Sequence, residues 1–283
     1  MKLTFSKLVR KYLIPYGLQA SAFLSTLILI SPIIWMVSTS LKKESEVFDR
    51  PPVWIPSEIS FDSYFRIMNG FVANILYNSI LVALLAAIIA TVVGALTAYA
   101  LSRFPIPGKS TIMLFFLSSL AFPIPLLMMS MYILLMKLGL LDTYLSMIIG
   151  HTVITLPITV WLMKNFIDQI PKEIEEAAYV EGASFFRIIF FIVFPLSMPA
   201  LTASALFVFV TSWNELFFGL SFISSPDLRT VPVGISQSFL QEFKTDWTGM
   251  MSLAVIVTIP IGIIFVFLQK SFLRGMIAGS VKG

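Results

Sequence analysis

Long apolar runs alternate with short polar segments along the whole chain. The runs cover 18–41, 71–101, 111–136, 144–163, 188–222 and 250–268. Each is close to or longer than the stretch of about 20 residues that a helix needs to cross a bilayer. Backbone polar groups in lipid must bond within their own segment, so the runs are expected to be helices. The predicted fold class is therefore an all-α membrane protein with six transmembrane helices. A residue-level division follows: a segment 1–17, a membrane-embedded domain 18–268 with a polar loop at about 164–187, and a tail 269–283.

The polar segments set the punctuation. Residues 42–69 carry Trp54, Pro51, Pro52 and Pro56 with mixed charge and suit a loop outside the cell. Residues 103–109 and 137–142 are expected to be tight turns, on the inside and the outside respectively. The 224–247 segment is expected to be an outside loop with a short amphipathic helix at about 235–243. Pro32 is placed to bend the first span, and Pro123-Ile124-Pro125 to kink the third near its middle. That kink is either architectural or lines a pathway. The second span ends in Gly94, Ala95, Ala98 and Ala100, which lets another helix approach closely.

Composition strengthens the membrane reading. Of 283 residues, 58% are hydrophobic and 12% charged, and 26 are Phe; the mean hydropathy is +0.92. A soluble domain of this size could not hide so much apolar surface. The net charge of +4 is modest, and the basic residues lie between apolar runs, so they read as topology signals rather than as a nucleic-acid surface. Lys2, Lys7, Arg10 and Lys11 precede the first run with no acidic residue among them, which places the N-terminus inside. The remaining Lys and Arg favour the same side, so both termini are expected in the cytoplasm. The first run lacks a small-residue cleavage site and reads as a retained span. With no Cys and one His, disulfides, thiolate chemistry and a His-rich metal centre are excluded.

One polar stretch departs from the pattern, residues 171–195. Asp168 or Gln169 is expected to cap a short helix, Pro171 suits its first turn, and Lys172 to Ala178 continue it with acidic side chains near its positive end. Gly182 is the expected C-cap or hinge. Inside the runs, two ionisable residues stand out. His151, with no acidic neighbour in its own span, reads as a hydrogen-bonded packing residue rather than a proton relay. Glu215, in Trp213-Asn214-Glu215, is either an interfacial helix end or a polar group at the outer mouth of a pathway. Gly108-Lys109-Ser110 imitates the end of a phosphate-binding P-loop, but Arg103 stands where that motif needs Gly and no strand precedes it. Nucleotide binding by this chain is rejected.

The spacing of Glu176, Ala177, Ala178, Gly182, Ile192 and Pro195 resembles the signature EAA-x3-G-x9-I-x-LP of ATP-binding-cassette importer permeases. Phe194 stands where that pattern usually has Leu. Glu181-Gly182-Ala183, Trp213-Asn214-Glu215 and the ending from Arg274 to Gly283 are similar to elements of carbohydrate permeases, specifically the second, maltose-type permease of the pair. The resemblance implies a sugar importer in a prokaryotic cytoplasmic membrane. Its partners would be a second permease subunit, two ATPase subunits and an extracytoplasmic solute-binding protein. It also implies that the 171–183 region is a cytoplasmic coupling helix between spans four and five, docked in an ATPase cleft, with Glu176 meeting a basic residue. Glu176, Ala177, Ala178, Glu181, Gly182, Ala183, Ile192 and Pro195 would form that element. The tail would reach toward the ATPases and the 224–247 loop would face the binding protein. No cofactor is expected in this chain, ATP and Mg belonging to the ATPases. Asn214, Glu215, Pro123 and Pro125 are the candidate pathway residues.

Two other classes fit less well. An ion-coupled secondary transporter needs paired ionisable residues at membrane depth and internal repeats, and only His151 and Glu215 qualify. An intramembrane enzyme needs a nucleophile with a base, or a cluster of metal ligands.

Overall fold

A computed structural model describes residues 14–68, 71–239 and 246–280, with side chains at 16–68, 71–237 and 246–267. Every regular element among the described residues is helical. In chain order these are α1 (Ile14–Ser40), α2 (Asp62–Ile67), α3 (Phe71–Arg103), α4 (Lys109–Ser119), α5 (Ile124–Lys137) and α6 (Tyr144–Ile167). There follow α7 (Lys172–Val180), α8 (Phe185–Leu196), α9 (Met198–Trp213), α10 (Phe217–Phe222), α11 (Val231–Phe239) and α12 (Trp247–Ser280).

Among the described residues four helices are long and apolar enough to cross a membrane, and up to six spans result if each of two bent pairs counts as one. The third predicted span is such a pair. Its helix stops at Ser119 and restarts at Ile124, with a bend of 100°; Pro123 and Pro125 sit at the N-terminus of α5, where a missing N–H costs nothing. The prolines thus break this span rather than merely kink it. The fifth predicted span also differs from a single rod. α8 contains a π-helical stretch, Ile189–Val193, and meets α9 at an angle of 79° around Ser197. A second break at Asn214 to Leu216 separates α9 from α10.

Other boundaries move as well. The 42–69 loop contains the short helix α2. The helix expected at 235–243 already begins at Val231 and is described to Phe239, while 240–243 of that expectation lie outside the described residues. The backbone of the expected tail continues α12 as far as Ser280. The N-terminal basic residues Lys2, Lys7, Arg10 and Lys11 and the last residues 281–283 lie outside the described residues.

The contacts divide the chain into two units, 1–69 with 243–256 and 70–242 with 257–283. In the first, the Ser63 hydroxyl donates to the Ser40 carbonyl (2.9 Å) and lies 2.7 Å from the Ser252 hydroxyl, and Arg66 pairs with Asp246 at 2.9 Å. The apolar window of α1 has no buried residue, as suits a helix whose solvent is lipid.

The second unit is built on α3, α6 and α9, which pack against one another. Along α3 the buried positions Ala83, Ala86, Ala87, Ala90, Gly94, Ala95 and Ala98 recur at helical spacing. Lipid supplies no hydrophobic drive between helices, so close van der Waals contact across small residues holds them together. Gly94 shows how close: a Cβ there would come 2.5 Å from Thr159 Cγ2 on α6. At the other end of α3, Asn78 is fully buried and its amide donates to the carbonyls of Asp227 (2.8 Å) and Arg229 (2.9 Å). Tyr144 donates to Asn78 Oδ1 at 2.7 Å, and Ser79 accepts from the Val231 N–H at 2.7 Å. These bonds seat the start of the 224–247 segment on α3.

Candidate functional site

The helix α7 is set by local chemistry at both ends. Pro171 precedes it with extended backbone, and Glu173 and Glu175 lie in its first turn, where the helix dipole favours negative charge. Its N-cap residue, Pro171, makes no side-chain cap. Asp168, an expected cap, instead ends α6 and accepts from Ser102 Oγ and Lys164 Nζ, both at 2.5 Å. Burial would raise the Asp168 carboxyl, but these two bonds and the nearby Lys164 and Arg103 charges outweigh it and hold the group below its ordinary value.

At the other end Gly182 has φ +86°, the left-handed region that favours glycine. Its N–H donates to the Tyr179 carbonyl (3.0 Å), and the Ala183 N–H reaches the Ala178 carbonyl (3.0 Å). That pair of bonds is a Schellman cap, so Gly182 is the C-cap glycine rather than a free hinge. Ser184 Oγ then accepts from the Arg187 N–H and starts α8.

One side of α7 is fastened to the bundle. Arg103, the last residue of α3, donates from Nε to Glu175 Oε1 (2.6 Å) and from Nη2 to the Ile170 carbonyl (2.9 Å). Tyr99 donates to Glu175 Oε2 at 2.8 Å. The Arg103 and Glu175 side chains are only 9% and 11% exposed. Ala178 and Ala183 pack beside them against the buried cluster of Ala95, Tyr99, Met163, Ile167 and Ile188, joined by half-buried Ile192. The opposite side, Glu176, Ala177, Tyr179, Val180, Glu181 and Gly182, is exposed. Glu176 makes no hydrogen bond or ion pair among the described residues. Of the residues expected in the docking element, Ala178, Ala183 and Ile192 thus pack inward, while Glu176, Ala177, Glu181 and Gly182 are exposed. Pro195 is exposed, two residues before the turn at Ser197.

The anchor was missed in the sequence. Its signal was there: Glu175 lies three residues before Ala178, on the same helical face, and Arg103 closes an apolar run.

Of the pathway candidates, only Glu215 gains a partner of note. Its carboxylate lies 3.3 Å from His151 Nε2, with side-chain exposures of 8% and 1%. It also accepts from the N–H groups of Phe217 (2.7 Å) and Phe218 (3.0 Å) at the start of α10. The His151 ring lies against Phe218. Asn214 is exposed and donates to the Val210 carbonyl, and Pro123 and Pro125 lie on exposed surface. No group of three or more His, Asp or Glu side chains able to hold a metal occurs among the described residues.

Residues 90–278 match the model of the family described as binding-protein-dependent transport system inner membrane component. The trehalose/maltose transport system permease protein of Thermococcus litoralis is 33% identical over 93% of this chain and 95% of its own length. The sulfoquinovosyl glycerol transport system permease protein of Agrobacterium fabrum is 32% identical over 89% and 88%. Among solved structures, a chain of a bacterial ABC transporter that imports alginate superposes with a TM-score of 0.79 at 23% identity, covering 93% of this chain and 97% of that one. The chain therefore belongs to the binding-protein-dependent transport system inner membrane components, the membrane-spanning permease subunits of ABC importers.

Proposed function

We propose that this permease moves a sugar, a di- or oligosaccharide or a related polyol, and that α7 is the element through which ATP hydrolysis drives it. The observation that carries the reading is the two-sided nature of α7. Its inner side is bonded to α3 through Glu175, while Glu176, Ala177, Tyr179 and Val180 stand exposed on the outer side. A helix fastened in this way moves with the bundle, and an exposed acidic and apolar side is a surface for another protein.

The sugar assignment rests on relatives named for trehalose, maltose and sulfoquinovosyl glycerol. In this reading the chain is the second, maltose-type permease of a heterodimer and carries no ATP site. Two ATPase subunits, with ATP and Mg, take α7 from the cytosol, where both termini also lie. An extracytoplasmic binding protein meets the 224–247 segment.

The test is reconstitution of the chain with its partner permease, candidate ATPase subunits and a sugar-loaded binding protein. ATPase activity should rise with loaded binding protein, and Glu176→Lys should abolish that rise while leaving the two permeases assembled. Full stimulation in Glu176→Lys, or labelling that puts residues 172–180 outside the cell, would overturn the docking role. Uptake driven by an ion gradient without ATP would overturn the ATP-driven reading.

A further inference from the structure

Between α4 and the last turn of α6 lies a cavity of about 330 Å³ that α7 and the His151 pair do not use. It is lined by Lys109, Ser110, Met113, Leu114, Leu117 and Lys164. Lys109 and Ser110 begin α4, and the apolar lining residues follow along the same helix. At 1.5 Å per residue the wall passes from ammonium to leucine over about 12 Å. Lys164 approaches from a second helix. The cavity is thus cationic at one end and hydrocarbon at the other.

The charges are not balanced. Lys164 shares its ammonium with Asp168, whose other oxygen is held by Ser102. Lys109 has no ion pair among the described residues. Two ammoniums and one carboxylate leave a net positive cavity, and an anion there would relieve the repulsion between the lysines. Two ammoniums and the Ser110 hydroxyl suit a phosphate, and the apolar wall suits a chain of methylenes beyond the anion.

We infer that this cavity holds an anionic phospholipid, its phosphate between Lys109 and Lys164 and an acyl chain along Leu114 and Leu117. Basic pockets between transmembrane helices take lipid headgroups in this way. The site also abuts the α7 anchor, because Lys164, Asp168, Ser102, Arg103 and Glu175 form one continuous chain of polar contacts.

The experiment is native mass spectrometry of the delipidated, detergent-solubilised importer complex titrated with phosphatidylglycerol, phosphatidylcholine or inorganic phosphate. Phosphatidylglycerol should bind in preference to phosphatidylcholine. The double variant Lys109→Gln/Lys164→Gln should weaken phosphatidylglycerol binding at least about tenfold, and Lys137→Gln, at the other end of α5, should not. Size-exclusion profiles of all three proteins establish that the fold is kept. Unchanged phosphatidylglycerol binding in the double variant would overturn the inference, as would an equal loss for phosphatidylcholine. Lysine-dependent binding of inorganic phosphate without any for phosphatidylglycerol would overturn the lipid assignment in favour of a free anion.

Discussion

His151 Nε2 on α6 lies 3.3 Å from the Glu215 carboxylate in the break between α9 and α10. The pair joins two helices that meet nowhere in sequence, and Glu215 also caps α10 through the Phe217 and Phe218 N–H groups. His151 Nδ1 is buried with no hydrogen-bond partner among the described residues. Removing the carboxylate would leave both ring nitrogens buried without one. Glu215→Ala is expected to destabilise the solubilised protein by about 1–3 kcal/mol. In a double-mutant cycle with His151→Phe, the two changes should be non-additive by at least about 0.5 kcal/mol. Additive losses in thermal unfolding would show that the two side chains do not act together.

Arg103 carries the junction between α3 and α7. Arg103→Ala leaves Glu175 buried with only the Tyr99 hydroxyl, a loss on the order of 3 kcal/mol if the pair were fully enclosed and less at this partly open end. Hydrogen exchange should quicken across Lys172 to Val180 in Arg103→Ala and stay unchanged in Lys172→Ala. Equal protection in all three proteins would mean that α7 holds its place by apolar contact alone.

Gly182 separates backbone strain from side-chain clash. A Cβ there would meet no atom within 4 Å, yet φ is +86°. Gly182→Ala is thus expected to weaken the α7 cap by roughly 1–2 kcal/mol, Gly182→Asn by less, and Gly182→Pro to abolish the turn. Binding-protein-stimulated ATPase activity should fall in the order Asn, Ala, Pro. Equal activity in all three would sever the cap from coupling.

Gly94 tests the close helix contact. Gly94→Ala places a methyl 2.5 Å from Thr159 Cγ2, and Thr is stiff in a helix. A loss of about 1–3 kcal/mol is expected, and Thr159→Ser in the same protein should recover most of it by deleting that methyl. No recovery in thermal unfolding would place the strain in the α3 backbone.

Asp142, at φ 59°, accepts from Ser225 Oγ (2.5 Å) and from the Ser225 and Ser224 N–H groups (2.9 Å each). These bonds, led by the Ser225 hydroxyl, hold its carboxyl below the ordinary value of 3.8. A lowered native value means that the carboxylate's contribution is complete above the unfolded value and disappears as pH falls through the native one. Protection of residues 222–225 from exchange should therefore drop below about pH 4. Asp142→Asn should be less protected at pH 7 and show little further change on acidification. A wild-type acid profile identical to that of Asp142→Asn would rule this account out.

Much of the membrane architecture could be read directly. The apolar runs located the membrane helices because lipid demands length and internal backbone bonding, both local properties. The signature spacing around Glu176 and Gly182 likewise marked a helix and its end, because capping is settled within a few residues. Pro123 and Pro125 announced a disturbance, although its 100° size depends on what packs on either side.

What the sequence determined alone is therefore local: helices that suit lipid, a short polar helix with its glycine stop, and membership in a recognisable pattern. Tertiary structure decided which side of α7 faces in, that Glu175 is held by Arg103 from 72 residues away, and that His151 and Glu215 meet. A polar side chain in a long chain has many possible partners, and only the packing of α3, α6 and α9 selects the one within bonding distance.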